Sequence, residues 1–150
     1  MAGVSIFVLG VPAQVVFNQY YYSPAWQQVF ALDNSFVLWG VGLALALWAR
    51  NSVFAVFAAS GLLHIAFDFP LHNEDARPHF WPLSDWVFVS PVSYWDPAHY
   101  GEVVGWIEWA ACALCLVILW RRFTDWMSRA CILVGALVQV APMIAWRILF

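Results

Sequence analysis

The chain has 150 residues, 64% of them hydrophobic and only 10% charged, with a formal net charge of −3 and a mean hydropathy of +0.75. One domain suits that length, but a soluble surface needs far more charge, and a net negative chain without lysine offers nothing to nucleic acid. What remains is an all-α integral membrane protein: a single domain of about four transmembrane helices with an aromatic-rich loop on the non-cytoplasmic face.

Residues 1–17 are apolar but broken by Gly10 and Pro12. Crossing the hydrocarbon core takes about 20 residues, so a partial span is expected. No basic region precedes Val4-Ser5-Ile6-Phe7-Val8-Leu9, which argues against a cleavable signal. Met1 opens almost directly into apolar sequence, as an internal start with a helix upstream would. Residues 18–33, with Tyr20-Tyr21-Tyr22 and Trp26-Gln27-Gln28, read as an interfacial connection. Asp33 and Asn34 are placed to cap the next span, 34–50. Arg50-Asn51-Ser52 turns the chain into a span over 53–69, which Pro70 should end or kink. A polar segment, 70–101, follows. The last two spans are 102–120 and 127–150, with Pro142 expected to kink the second.

Arg50, Arg121, Arg122 and Arg129 fall at one end of the alternating spans, against Arg77 and Arg147 at the other. The positive-inside rule makes the first end cytoplasmic and places the 70–101 segment outside. Cys112 and Cys115 form a C-x-x-C without a second pair. They read as small apolar residues of a helix, with a redox or metal role as the alternative.

All four histidines and six of the nine acids lie between residues 61 and 104. His64, Asp68 and His72 are spaced i, i+4, i+8, which stacks them on one side of a helix. His64 lies six residues before Pro70, about 9 Å into the span at 1.5 Å per residue. An ionisable group at that depth needs a partner or a wet cavity. Imidazole plus carboxylate suits a divalent metal such as zinc or manganese; the alternative is a neutral His64 clasped to Asp68 or to another helix. Glu108, six residues into the following span, should reach a similar depth as a third ligand, a general base or a helix-tying glutamate. His72, Glu74, Asp75, Arg77 and His79 could complete a metal site or take a phosphate-bearing headgroup through Arg77. Equally, Glu74 and Asp75 are solvated loop acids, and His99 is a surface residue or a cap near Glu102. The rings of Phe80, Trp81, Trp86, Tyr94 and Trp95 suit the headgroup layer.

The H-x-x-x-D of His64 and Asp68, followed after a loop by Trp81-Pro82-Leu83-Ser84, resembles the membrane-bound metal-dependent hydrolase family, which includes the LexA-binding, YdjM-like inner-membrane hydrolases. The match covers roughly residues 60–97. The D-F-P-L-H, H-F-W-P-L and S-P-V-S-Y-W-D stretches more closely resemble a small proteobacterial group, some of them labelled cobalamin-biosynthesis proteins. The resemblance implies a helical protein of the bacterial inner membrane with a metal site and hydrolase activity. The family also carries a histidine and a P-D-x-D-like turn at an N-terminal helix, and a T-H-S-like element before its second span. This chain starts after the first position, and at the second it has Leu32-Asp33-Asn34-Ser35-Phe36, with no histidine.

Two expectations follow. In one, a divalent metal is held by His64, Asp68 and His72, with His79 or Glu108 completing the shell, and Asp75 or Glu108 shuttles a proton for hydrolysis at headgroup depth. In the other, the polar cluster is an internal clasp of a non-catalytic accessory subunit that docks on other membrane-protein subunits. A haem or chlorin on His64 is a third possibility.

Overall fold

The computed structural model describes residues 4–149; they form helices and loops, with no strand among them. Met1–Gly3 and Phe150, the outer ends of the first and last expected spans, lie outside the described residues. The chain divides into two compact units, Met1–Gly101 and Glu102–Phe150.

In the first unit, short helical turns at Val4–Val8, Ala13–Val15 and Val16–Tyr20 lead into helix α1, Pro24–Asp33. The sequence pointed to a connection here. Pro24 at the first helical position, where a missing N–H costs nothing, starts a helix instead. Asn34 closes it, its backbone N–H and its side-chain amide both 2.9 Å from the Phe30 carbonyl. With Asn34 used there, Ser35 caps helix α2, Phe36–Trp48, its hydroxyl accepting from the Leu38 N–H at 3.1 Å. Asp33 and Asn34, the expected caps, do not perform that role, because the cap must be extended with its oxygen turned back on the first turn.

Helix α3, Ser52–Asp68, is capped by Asn51, which accepts from Phe54 N–H at 3.0 Å. Pro70 ends its α-helical geometry as expected, and a 3₁₀ turn, Phe69–Leu71, continues it. α2 and α3 approach closely at Gly61, where a Cβ would lie 2.5 Å from the Trp39 ring. Small residues at such crossings let apolar helices pack backbone to backbone. Trp39 is held there by Phe57, 5.3 Å away between centroids, and by an N–H bond to the Asp33 carbonyl at 2.6 Å.

The second unit contains helix α4, Gly101–Arg122, and helix α5, Trp126–Leu149, which runs through Pro142. Asp125 begins α5 by accepting from Ser128 N–H at 2.8 Å. The Arg129 guanidinium lies 4.6 Å over the Trp120 ring.

Among the described residues two helices are long and apolar enough to cross a bilayer: Ser52–Leu71 and Gly101–Arg122. The pair α1 and α2, bent by 45°, adds a third if it counts as one broken span or re-entrant element. Among the described residues of the first unit the buried apolar ones are Val16, Ala46, Ala58 and Ile65, while Leu63, Phe67 and many other large side chains are exposed. That distribution is consistent with a membrane protein, since lipid removes the need to bury apolar surface.

Candidate functional site

The site grows from the loop-side end of α3. One helical turn separates His64 from Asp68, and the 3₁₀ turn then delivers His72 back to the same carboxylate. His64 Nε2 lies 3.4 Å from Asp68 Oδ2, and His72 Nε2 lies 3.6 Å from that same oxygen. The three-residue register expected from spacing is therefore present, although His72 itself has left the helix. His64 is largely open, its side chain 71% exposed, whereas that of His72 is 8% exposed.

The other ring nitrogen of His72, Nδ1, lies 2.9 Å from Asp75 Oδ2. The approach is an ion pair without hydrogen-bond alignment, so both His72 nitrogens lack a regular hydrogen-bond partner. Burial works against charge on His72, but the contacts and charges of Asp68 and Asp75 outweigh it and raise its pKa to about 9. Burial likewise works against the charged form of Asp75, and His72 and Arg77 reverse that, holding its carboxyl below the usual range.

Asp75 is not the solvated loop acid that the sequence suggested. It is buried, with the Tyr21 and Tyr94 hydroxyls each donating to its Oδ2 at 3.4 Å. Burial raises the pKa of both phenols, that of Tyr21 to about 12. Glu74, beside it, is exposed as expected. Arg77 is also not available to a headgroup phosphate. Its guanidinium is buried, donates to the Tyr21 hydroxyl and to Gln27 Oε1 (3.2 Å), and lies 4.2 Å over the Phe30 ring.

His79 is fully buried and carries a readable tautomer. Its Nδ1 lies 2.9 Å from the Arg77 carbonyl, which can only accept, so Nδ1 holds the proton. Nε2 then carries a lone pair, buried and without a partner. Burial keeps His79 neutral by lowering its pKa. Its ring centroid is 6.3 Å from that of His72.

The loop is fastened around these groups. Ser90 donates through Oγ to the Pro70 carbonyl at 2.5 Å and through N–H to that of His72 at 2.9 Å, and the Asn73 amide donates to the Ser90 carbonyl. Tyr94 N–H donates to Leu71 at 3.1 Å.

His64, Asp68, His72, Asp75 and His79 are thus set in one region of the first unit. His99 is elsewhere, paired with Asp96 at 2.6 Å in a 3₁₀ turn, Pro97–His99, rather than capping near Glu102. Glu108 lies on α4, in the second unit. Sequence reasoning missed Tyr21, Gln27, Phe30, Ser90 and the role of Tyr94. No spacing rule finds them, since Tyr21 is 54 residues from Asp75.

Among the described residues no group of three or more His, Cys, Asp or Glu side chains is gathered to hold a metal ion. The separations within the cluster still bear on the question. Zinc bonds of about 2.0–2.2 Å at tetrahedral angles put neighbouring ligand atoms about 3.3–3.6 Å apart. Asp68 stands at about that distance from His64 and His72, while His72 and His79 each turn their other nitrogen to an oxygen, the usual support of a metal-binding imidazole.

Fold and site together define an all-helical chain, consistent with a membrane protein, with a partly buried His–Asp cluster at the loop-side end of α3. Comparisons with protein-family models, with curated proteins and with solved structures give no match.

Proposed function

We propose that this is a metal-dependent hydrolase-like protein of the bacterial inner membrane, with about four spans and the His–Asp cluster at the outer, non-cytoplasmic edge. The observation that carries the reading is His72, set between two carboxylates, with the orphaned Nε2 of His79 nearby. The donor set suits a divalent ion such as zinc or manganese in kind and in its supporting shell. His64, Asp68, His72 and His79 would hold it. The metal would supply Lewis acidity and an acidified water near neutral pH.

The chain's own residues have separate tasks. Asp75 fixes the His72 ring through its ion pair with Nδ1, a positioning role that its burial favours over exchange with solvent. Arg77 keeps Asp75 ionised while Tyr21, Gln27 and Phe30 hold the guanidinium in place. His64, the open end of the cluster, faces whatever approaches. A substrate with an ester or phosphoester at headgroup depth suits that opening.

The test is metal content by mass spectrometry on gently solubilised protein, beside a His64→Ala, Asp68→Ala double variant. The expected result is near-stoichiometric metal in the first and none in the second. Asp75→Asn should weaken metal affinity about 10–100-fold. Folded wild type without metal overturns the reading.

A second reading, the internal clasp of an accessory subunit, is favoured by one observation: no three donors close on a common point among the described residues. It expects no metal, and loss of partner co-purification when the loop is altered.

A further inference from the structure

Residues 80–90, Phe80-Trp81-Pro82-Leu83-Ser84-Asp85-Trp86-Val87-Phe88-Val89-Ser90, carry Asp85 as their only charge. Among them Leu83 is 80% exposed, Val89 60% and Trp86 54%, an amount of open apolar surface that a water-facing loop rarely keeps. Their backbone does not rise away from the helices. At one end His79 accepts through its carbonyl from Phe36 N–H at 2.9 Å, and Ser35 donates to the Trp81 carbonyl, so residues 79–81 sit on the first turn of α2.

At the other end Ser90 is bonded to Pro70 and His72, while Phe88 stacks on Phe69 at 5.0 Å. Ser90 and Phe88 are therefore both held against the 3₁₀ turn that continues α3. Phe80, Trp86 and Phe88 continue from Phe69 as a ring-to-ring column, with Phe80–Trp86 at 6.0 Å and Trp86–Phe88 at 6.2 Å. Ser90 is buried and Phe88 half-buried, whereas Val89 between them and Trp86 before them are exposed.

We infer that residues 82–89 are a membrane-inserted strap, with Leu83, Trp86 and Val89 seated in the bilayer at the boundary between headgroups and acyl chains. The occupant of this surface is lipid, because the Phe88–Phe69 stack joins the stretch to the end of the Ser52–Leu71 span, on which Leu63 and Phe67 are exposed. Tryptophan at one end of the patch and a lone aspartate beside it match the chemistry of that layer. The inference rests on the membrane reading of α3 and is independent of any metal.

Spin labels test it directly. In a background with Cys112, Cys115 and Cys131 replaced by serine, single Leu83→Cys and Val89→Cys variants are labelled in nanodiscs of phosphatidylcholine and phosphatidylglycerol. Collision rates with oxygen and with a water-soluble nickel chelate are then compared. Leu63→Cys on the exposed face of the span is the lipid reference, and exposed Glu74→Cys the water reference. Labels at 83 and 89 should favour oxygen over nickel, close to the Leu63 ratio. A ratio close to that of Glu74 overturns the strap. So does shielding from both reagents, which would mean that protein covers the patch. If one variant does not elute as folded protein, the other decides.

Discussion

The two parts of the first unit distribute polarity in opposite ways. Along α2 and α3 large apolar side chains such as Leu45, Leu47, Phe57, Leu63 and Phe67 are exposed, and the few buried apolar positions are mainly small. Between residues 72 and 93 the buried groups are polar: His72, Asp75, Arg77, His79, Ser90 and Ser93. The helices satisfy their backbone internally and can leave apolar surface to lipid. The loop has no such ladder, so its carbonyls and amides must be met by side chains, and those side chains must come inside with it. Stability in the loop therefore resides in a few polar contacts, whereas in the helices it is spread over many weak ones.

That contrast predicts where substitution hurts. Arg77→Met should have the largest effect, a loss of about 2–4 kcal/mol, because it removes charged hydrogen bonds and a cation–π contact together and leaves the Tyr21 oxygen and Gln27 Oε1 without that donor. Thermal unfolding in detergent would show it; a midpoint within a degree or so of wild type would mean that the loop is held by something else.

Raising the pH should act on the same region of the metal-free protein. His72 keeps its proton in the folded chain up to about 9, against the ordinary 6.5. The group binds its proton more tightly when folded, so its contribution is complete below about 6.5 and is lost as the pH rises through about 9. Midpoints measured from about pH 6 to about pH 9 should fall, and Asp75→Asn should flatten the fall by removing one of the two carboxylates. A midpoint that climbs over this range would contradict the ion pair.

Gly61→Ala should cost less, about 1–3 kcal/mol, since the new Cβ forces the Trp39 ring to shift in a close crossing. Leu63→Ala, two residues along the same helix on its exposed side, is the contrast. There the loss should stay within about 0.5 kcal/mol, the range of surface substitutions, and equal losses at 61 and 63 would remove the distinction between helix contact and lipid face.

Composition alone pointed to an all-helical chain of the kind that lipid can surround. A chain so apolar and so poor in charge is consistent with lipid in place of burial, and helices suit it because they close their own hydrogen bonds. Local spacing also placed His64, Asp68 and His72 together, since a helical turn and a short 3₁₀ extension keep residues four apart on one side. The helix within the N-terminal connection was not legible because Pro24 can either break a helix or begin one, and only the extended Ser23 before it decides which. Asp75 read as a proton shuttle or a solvated acid and Arg77 as a headgroup-phosphate binder or an ordinary loop charge, and the tertiary structure alone made them buried. Their partners, Tyr21, Gln27, Phe30 and Tyr94, are brought in by the folding of distant segments, and neither the period of a helix nor the composition of a loop encodes that. The same holds for the exposed side of residues 82–89. The sequence supplied its aromatic rings, but whether they face the helices, water or lipid depends on where the chain ties back to Phe36, Phe69 and Pro70, and that is a long-range contact.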